Sequence, residues 1–249
     1  MKVSPGDVNS LLKNPSKEFF AYLLHGLDVG LIDERAQKLA LLFSDDLEDP
    51  FSVSKLTGKE LQANPVSLSD ALNSMALFGS LKTVILSGTA AELTTLVKTN
   101  IDNLNADCRL IISAKESTTR HSLVTMCDKH PKIASIACYP DEDKQLQKLV
   151  SEIMFKSQIN ISHDLVKYTS EKLGSNRAIN KSEIEKIALY AATTKKINKE
   201  DIDILLGDNS SHLLDKLINN VFTGKTKGLG ELISIARSES IQPIVIIRS

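Results

Sequence analysis

Apolar residues recur along this chain with two different periods, and the point where one gives way to the other divides the sequence. Phe19 to His25 is a short apolar run rich in aromatic residues and stopped by Gly26, the signature of a buried strand. From Val29 to Phe43, Leu31, Ile32, Ala36, Leu39, Ala40 and Phe43 recur at three-to-four spacing, which lays one stripe of a helix against a sheet. The alternation continues, with strands predicted at Phe51 to Leu56, Lys82 to Leu86, Arg109 to Ser113 and Ile133 to Tyr139. Helices are predicted between them over Ser67 to Ala76, Ala90 to Leu104 and Thr119 to Lys129, the first opened by Ser67 and Asp70 at capping-box spacing. Five strands, most followed by a helix, predict an α/β fold with a parallel sheet covered on both faces.

Past Tyr139 the strand signal ends. Pro140 with Asp141, Glu142 and Asp143 opens a continuous helical pattern: Asp143 to Lys156, then Leu173 reached from a Ser162 cap with Gly174 at C′, then Lys181 to Ala192 and Lys199 to Leu206. The polar cluster Gly207 to Ser211 reads as a linker, followed by helices over Leu213 to Phe222 and Leu229 to Arg237 and by the apolar run Ile244 to Ile247. Three segments are therefore expected: 1–140, 141–208 and 209–249.

Composition narrows the class. Hydrophobic residues at 42% and charged residues at 24% belong to a globular chain, and 11 glycines with 7 prolines exclude a collagenous or low-complexity one. Thirty Lys and Arg against 31 Asp and Glu leave a net charge of −1, without the basic excess of a free-standing nucleic-acid binder. The three cysteines, Cys108, Cys127 and Cys138, form no C-x-x-C pair and read as reduced core thiols of a cytoplasmic protein. No apolar run approaches the roughly 18 residues of a membrane span, and no signal-peptide pattern opens the chain, so no membrane partner is expected.

A sheet followed by helices invites a search for a phosphate-binding turn after the first strand. That turn reads His25-Gly26-Leu27-Asp28-Val29-Gly30-Leu31-Ile32; it lacks both the Lys for the outer phosphates and the Ser or Thr for magnesium, and Asp28 puts a negative charge where phosphate would sit. The third strand ends in Ser87-Gly88 rather than an acidic pair. The five histidines lie in separate segments and read as surface or satisfied core residues; Asp45-Asp46 and Asp141-Glu142-Asp143 read as solvated loops or helix starts. No catalytic residue, cofactor site or metal site is expected. What remains is the tail of the Ser67 to Ala76 helix, where Met75, Leu77 and Phe78 cluster before Gly79. Spacing alone leaves two readings open: these side chains fold back as core, or they project as an apolar tip.

Several stretches together resemble a known family. They are Tyr22-Leu23-Leu24-His25-Gly26-Leu27-Asp28 with its helix; Met75-Ala76-Leu77-Phe78-Gly79 followed by Lys82-Thr83-Val84-Ile85-Leu86; Arg109-Leu110-Ile111-Ile112-Ser113; and Leu173-Gly174-Ser175-Asn176-Arg177 leading to Ser182 through Ala191. In these the chain resembles the delta subunit of the bacterial DNA polymerase III clamp loader, from about Phe20 onward. The resemblance implies an AAA+ (P-loop ATPase)-like first domain without a nucleotide site, a helical lid and part of a helical collar. It implies an accessory subunit of a DNA-directed DNA polymerase (nucleotidyltransferase) holoenzyme, without intrinsic activity. Such a subunit binds the sliding clamp (beta subunit) through an apolar tip, here Met75, Leu77 and Phe78, and promotes opening of the ring. Other partners would be the ATPase subunits and delta prime, met through the collar, with DNA only indirectly. Two departures stand out: Asn73 replaces the Gln that usually opens such a motif, and the segment from Ser210 to Ser249 is short for a collar, as if truncated. Competing expectations are an ATP- or GTP-hydrolysing switch with a degenerate phosphate loop, and a purely structural assembly scaffold.

Overall fold

A computed structural model describes residues 1–74, 81–104, 106–194, 196–206, 217–218, 220–224 and 228–238. The chain divides into two compact units, Met1–Pro140 and Asp141–Ser249.

The first unit is built on β1 (Ala21–Gly26), β2 (Val53–Thr57), β3 (Lys82–Thr89), β4 (Cys108–Lys115) and β5 (Ile133–Cys138). All pairings are parallel and the strand order is β2-β3-β4-β1-β5, with Leu23 opposite Ile112 on one side and Ser135 on the other. The helices are α1 (Val8–Leu11), α2 (Val29–Phe43), α3 (Gly58–Ala63), α4 (Val66–Asn73), α5 (Ala90–Asn100) and α6 (Ser122–Lys129). Right-handed crossovers explain where they lie: the step from β1 to β2 runs one way along the sheet, and the steps through β3 and β4 to β5 run back, so the two sets of helices take opposite faces. Leu31, Ile32, Leu39 and Ala40 of α2 pack on Tyr22, Leu24, Ile111 and Ile136. Leu61, Leu68, Leu93, Val97, Leu123 and Cys127 pack on Leu23, Val84, Leu86, Leu110 and Ile112 across the sheet. β1 is buried at every position because strands flank it and helices cover it.

The second unit is helical in its described residues: α7 (Asp143–Lys156), α8 (His163–Glu171), α9 (Arg177–Thr194), α10 (Lys199–Leu206) and α11 (Leu229–Ser238). Leu149, Val150, Ile153 and Met154 of α7 form its core with Val166, Ile184, Ile187, Ile202 and Leu206.

Five strands and helices α2, α7 and α10 stand where the hydrophobic pattern puts them. The capping box expected at Ser67 does not form: the N-cap lies two residues earlier, at Pro65, without a side-chain cap, and Ser67 lies within the first turn. Capping boxes form instead at Thr57 with Glu60, Thr89 with Glu92, and Glu142 with Gln145. Helix α3 was not expected, because a single six-residue turn carries too few apolar positions to show a period. Helix α5 stops at Asn100, continued by one 3-10 turn through Asn103, and α8 ends at Glu171 with Lys172 as its cap, so Gly174 falls beyond C′. All three cysteines are buried and free, and burial pushes the Cys108 thiol up to about 11 and the Cys127 thiol to about 12.

Candidate functional site

At the carboxyl edge of the parallel sheet, β1 and β4 hand their chains to helices on opposite faces, the place where such folds open a ligand crevice. A phosphate held there needs backbone N–H groups that point outward at a helix start. Here three N–H groups of the turn and helix start are already engaged. The Gly26 N–H donates to the Ser117 hydroxyl (3.3 Å), and the Asp28 N–H to the Cys138 carbonyl (3.3 Å). The Leu31 N–H, in the first turn of α2, donates to the Asp28 carboxylate (2.9 Å). Asp28 is 2% exposed, so the helix N-terminus that would meet an anion meets this chain's own carboxylate.

The neighbouring strand completes the closure. Glu116, just past β4, adopts the left-handed backbone (φ 52°), which costs a side-chain-bearing residue about 1 kcal/mol. That bend brings Ser117 back onto β1: its N–H donates to the Gly26 carbonyl (3.1 Å) and its hydroxyl to the Ala114 carbonyl (2.7 Å). A Cβ on Gly26 would stand 1.9 Å from the Cys138 carbonyl oxygen, and its φ of +153° suits glycine. At Gly26 the turn is thus packed directly on the end of β5 and on Ser117.

Beyond it, a groove of about 560 Å³ runs over the carboxyl ends of β2, β3 and β4. Its two lysines are matched within the chain, Lys115 by Asp33 (3.0 Å) and Lys55 by Glu48 (2.6 Å). His25, at the end of β1, is 2% exposed, and its Nδ1 has no hydrogen-bond partner among the described residues, against the expectation of a satisfied core histidine. Burial pulls its pKa below the ordinary value, opposed by the negative charge of Asp128.

The amino edge of the same sheet is arranged differently. Before β2, Asp49 caps a tight turn: its carboxylate accepts from the Phe51 N–H (3.0 Å) and its carbonyl from the Val53 N–H (2.9 Å). The Ser52 hydroxyl, then the Phe51 N–H, hold the Asp49 carboxyl below its usual range. Lys82, the first residue of β3 and 4% exposed, donates its ammonium to the carbonyls of Phe51 (3.0 Å) and Pro50 (3.4 Å). Phe51 itself is 57% exposed.

Met75, Leu77 and Phe78, the predicted contact residues, lie outside the described residues, as does most of the expected collar from 209 to 249. The described flanks are Ser74, whose hydroxyl donates to the Ala71 carbonyl (2.8 Å), and Leu81 with Lys82. The roles of Ser117 and Lys82 have no sequence signature, because each acts through backbone groups of a strand distant in the chain.

The strand order, with β4 inserted beside β1 and helices on both faces, defines an AAA+ ATPase-like α/β fold. Among solved structures, the Bacillus subtilis DNA clamp loader delta protein is similar over 98% of this chain and 74% of its own, with a TM-score of 0.55 and 17% identity. A point mutant of Thermotoga maritima RuvB is similar over 96% of this chain and 83% of its own, with a TM-score of 0.57 and 13% identity. The RuvB Holliday junction branch migration motor of the same organism gives 0.56 at 13% identity over the same shares. At these identities the likeness is one of fold. The chain matches no protein-family model and no curated protein.

Proposed function

We propose that this chain is a delta-type subunit of a bacterial clamp loader, which binds the ring-shaped sliding clamp through Met75, Leu77 and Phe78 and favours the open ring. In this reading residues 1–140 bind the clamp, 141–208 form a lid, and 209–249 belong to a collar that joins the ATP-hydrolysing subunits and delta prime. DNA is reached through the ring. The chain transfers no nucleotide itself and works in the cytoplasm as part of a replicative polymerase assembly.

The observation that carries the reading is the turn after β1, at the AAA+-type nucleotide position, where three N–H groups are engaged by Ser117, Cys138 and Asp28. A subunit so built contributes binding rather than hydrolysis. The fold likeness to a clamp loader delta protein over nearly the whole chain supports the same reading. The energetics allow it: burying a Leu and a Phe contributes roughly 1.5 to 3 kcal/mol each, whereas a micromolar complex requires about 8 kcal/mol net, so the tip is one anchor within a larger interface. Ring opening further requires tighter binding to the open ring than to the closed one.

Calorimetric titration with a purified bacterial sliding clamp tests the assignment. Leu77→Ala with Phe78→Ala is expected to weaken binding about a hundredfold, a loss of roughly 3 kcal/mol. Unchanged affinity would overturn the site. A fluorescent ATP analogue with magnesium is expected not to bind, and measurable binding would favour the hydrolysing switch.

A further inference from the structure

The turn Asp49–Ser52 is held with more effort than a surface connection needs. Burying an ammonium group is costly unless its donors are satisfied, yet Lys82 is 4% exposed and directs its charge at the carbonyls of Pro50 and Phe51. Asp49 fixes the same peptide from the other side through the Phe51 and Val53 N–H groups, and the Thr83 N–H donates to the Ser52 carbonyl (2.8 Å). What this rigid backbone presents is the Phe51 ring, 57% exposed. An exposed aromatic ring on a preorganised backbone suits an interface anchor, since the backbone has little freedom left to lose on binding. The residue that holds the turn, Lys82, is also the second residue after the 75–80 segment in the sequence.

We infer that Phe51 is a second apolar anchor for the sliding clamp; the inference rests on the clamp-binding reading and deepens it. The turn also sets the chemistry of the surface it meets. Asp45 and Asp46 precede it and are exposed, a charge that favours an apolar pocket with a basic rim as the surface receiving Phe51. The same carboxylates repel a nucleic-acid backbone, which assigns the surface to the protein ring rather than to DNA.

Titration of the full chain with a purified bacterial sliding clamp tests the inference, at a temperature where far-ultraviolet dichroism shows each variant folded. Phe51→Ala is expected to weaken binding about tenfold. Lys82→Met is expected to weaken it less, and the two changes together no more than Phe51→Ala alone, since Lys82 acts only by positioning. Phe155→Ala, which removes an 83% exposed ring of the other unit, is expected to change nothing. Asp45→Asn is expected to slow association and flatten its salt dependence with little effect on dissociation. If Phe51→Ala behaves like Phe155→Ala while Leu77→Ala with Phe78→Ala weakens binding about a hundredfold, the inference fails and the clamp-binding reading stands. If the unaltered chain does not bind the ring, both fail.

Discussion

The two edges of one parallel sheet are built to opposite ends. At the carboxyl edge, polar groups face inward: Ser117, Asp28 and the Cys138 carbonyl meet the N–H groups of the turn after β1. At the amino edge, polar groups are spent on holding a backbone from beneath, and the apolar side chain it carries is left in solvent. The contrast lies in what the polar groups do: at one edge they close the turn after β1 upon itself, and at the other they brace a backbone beneath an exposed ring.

Substitutions can break this comparison, and the largest effect is expected at the closed edge. Gly26→Ala forces a methyl to within 1.9 Å of the Cys138 carbonyl oxygen and should destabilise the chain by about 4 kcal/mol or more. Chemical denaturation measures it, and near-wild-type stability would show that the turn is loosely closed. At the open edge, Lys82→Met leaves the Pro50 and Phe51 carbonyls without their donor and should cost about 2 kcal/mol. Faster amide exchange at Phe51 and Val53 would locate the loss in the turn.

Asp28→Ala sharpens the comparison, because it uncovers the N-terminus of α2 without restoring a lysine or a magnesium ligand. It should cost about 1 kcal/mol through the lost cap and should still fail to bind a fluorescent ATP analogue. Binding by this variant would mean that one carboxylate alone keeps nucleotide out.

The smallest effect is one of pH. The pKa of His25 is lower in the folded chain than in the unfolded one, so the unfolded state takes up its proton first as pH falls and stability declines through the region of 6.5. Between pH 7 and pH 6 the decline from this group stays under about 0.7 kcal/mol, the limit set by an unfolded histidine titrating alone. His25→Gln should remove that part of the pH dependence, as denaturation midpoints at the two pH values would show.

Much of this architecture was legible in the hydrophobic pattern. Parallel strands buried on both faces leave continuous apolar runs such as Tyr22-Leu23-Leu24, and a helix of fifteen residues such as α2 shows its period plainly. That the turn after β1 carries Asp28 and lacks the lysine of a phosphate loop was readable directly. How the turn is closed was not, because Ser117 lies 91 residues away and is brought to Gly26 by the bend at Glu116. Lys82 read as the start of a strand, since nothing in a sequence marks a lysine whose partners are carbonyls of another loop. The failed capping box at Ser67 has a related cause: Pro65 sets the backbone for a helix start on its own, and the spacing of two side chains then decides nothing.

The position of Gly26 also bears on how relatives of this chain are to be recognised. In any set of proteins that share the Cys138 contact, this glycine is held invariant by a steric demand. A search that scores glycines between a first strand and a first helix as traces of nucleotide binding would therefore count in its favour a residue that packing against β5 already explains.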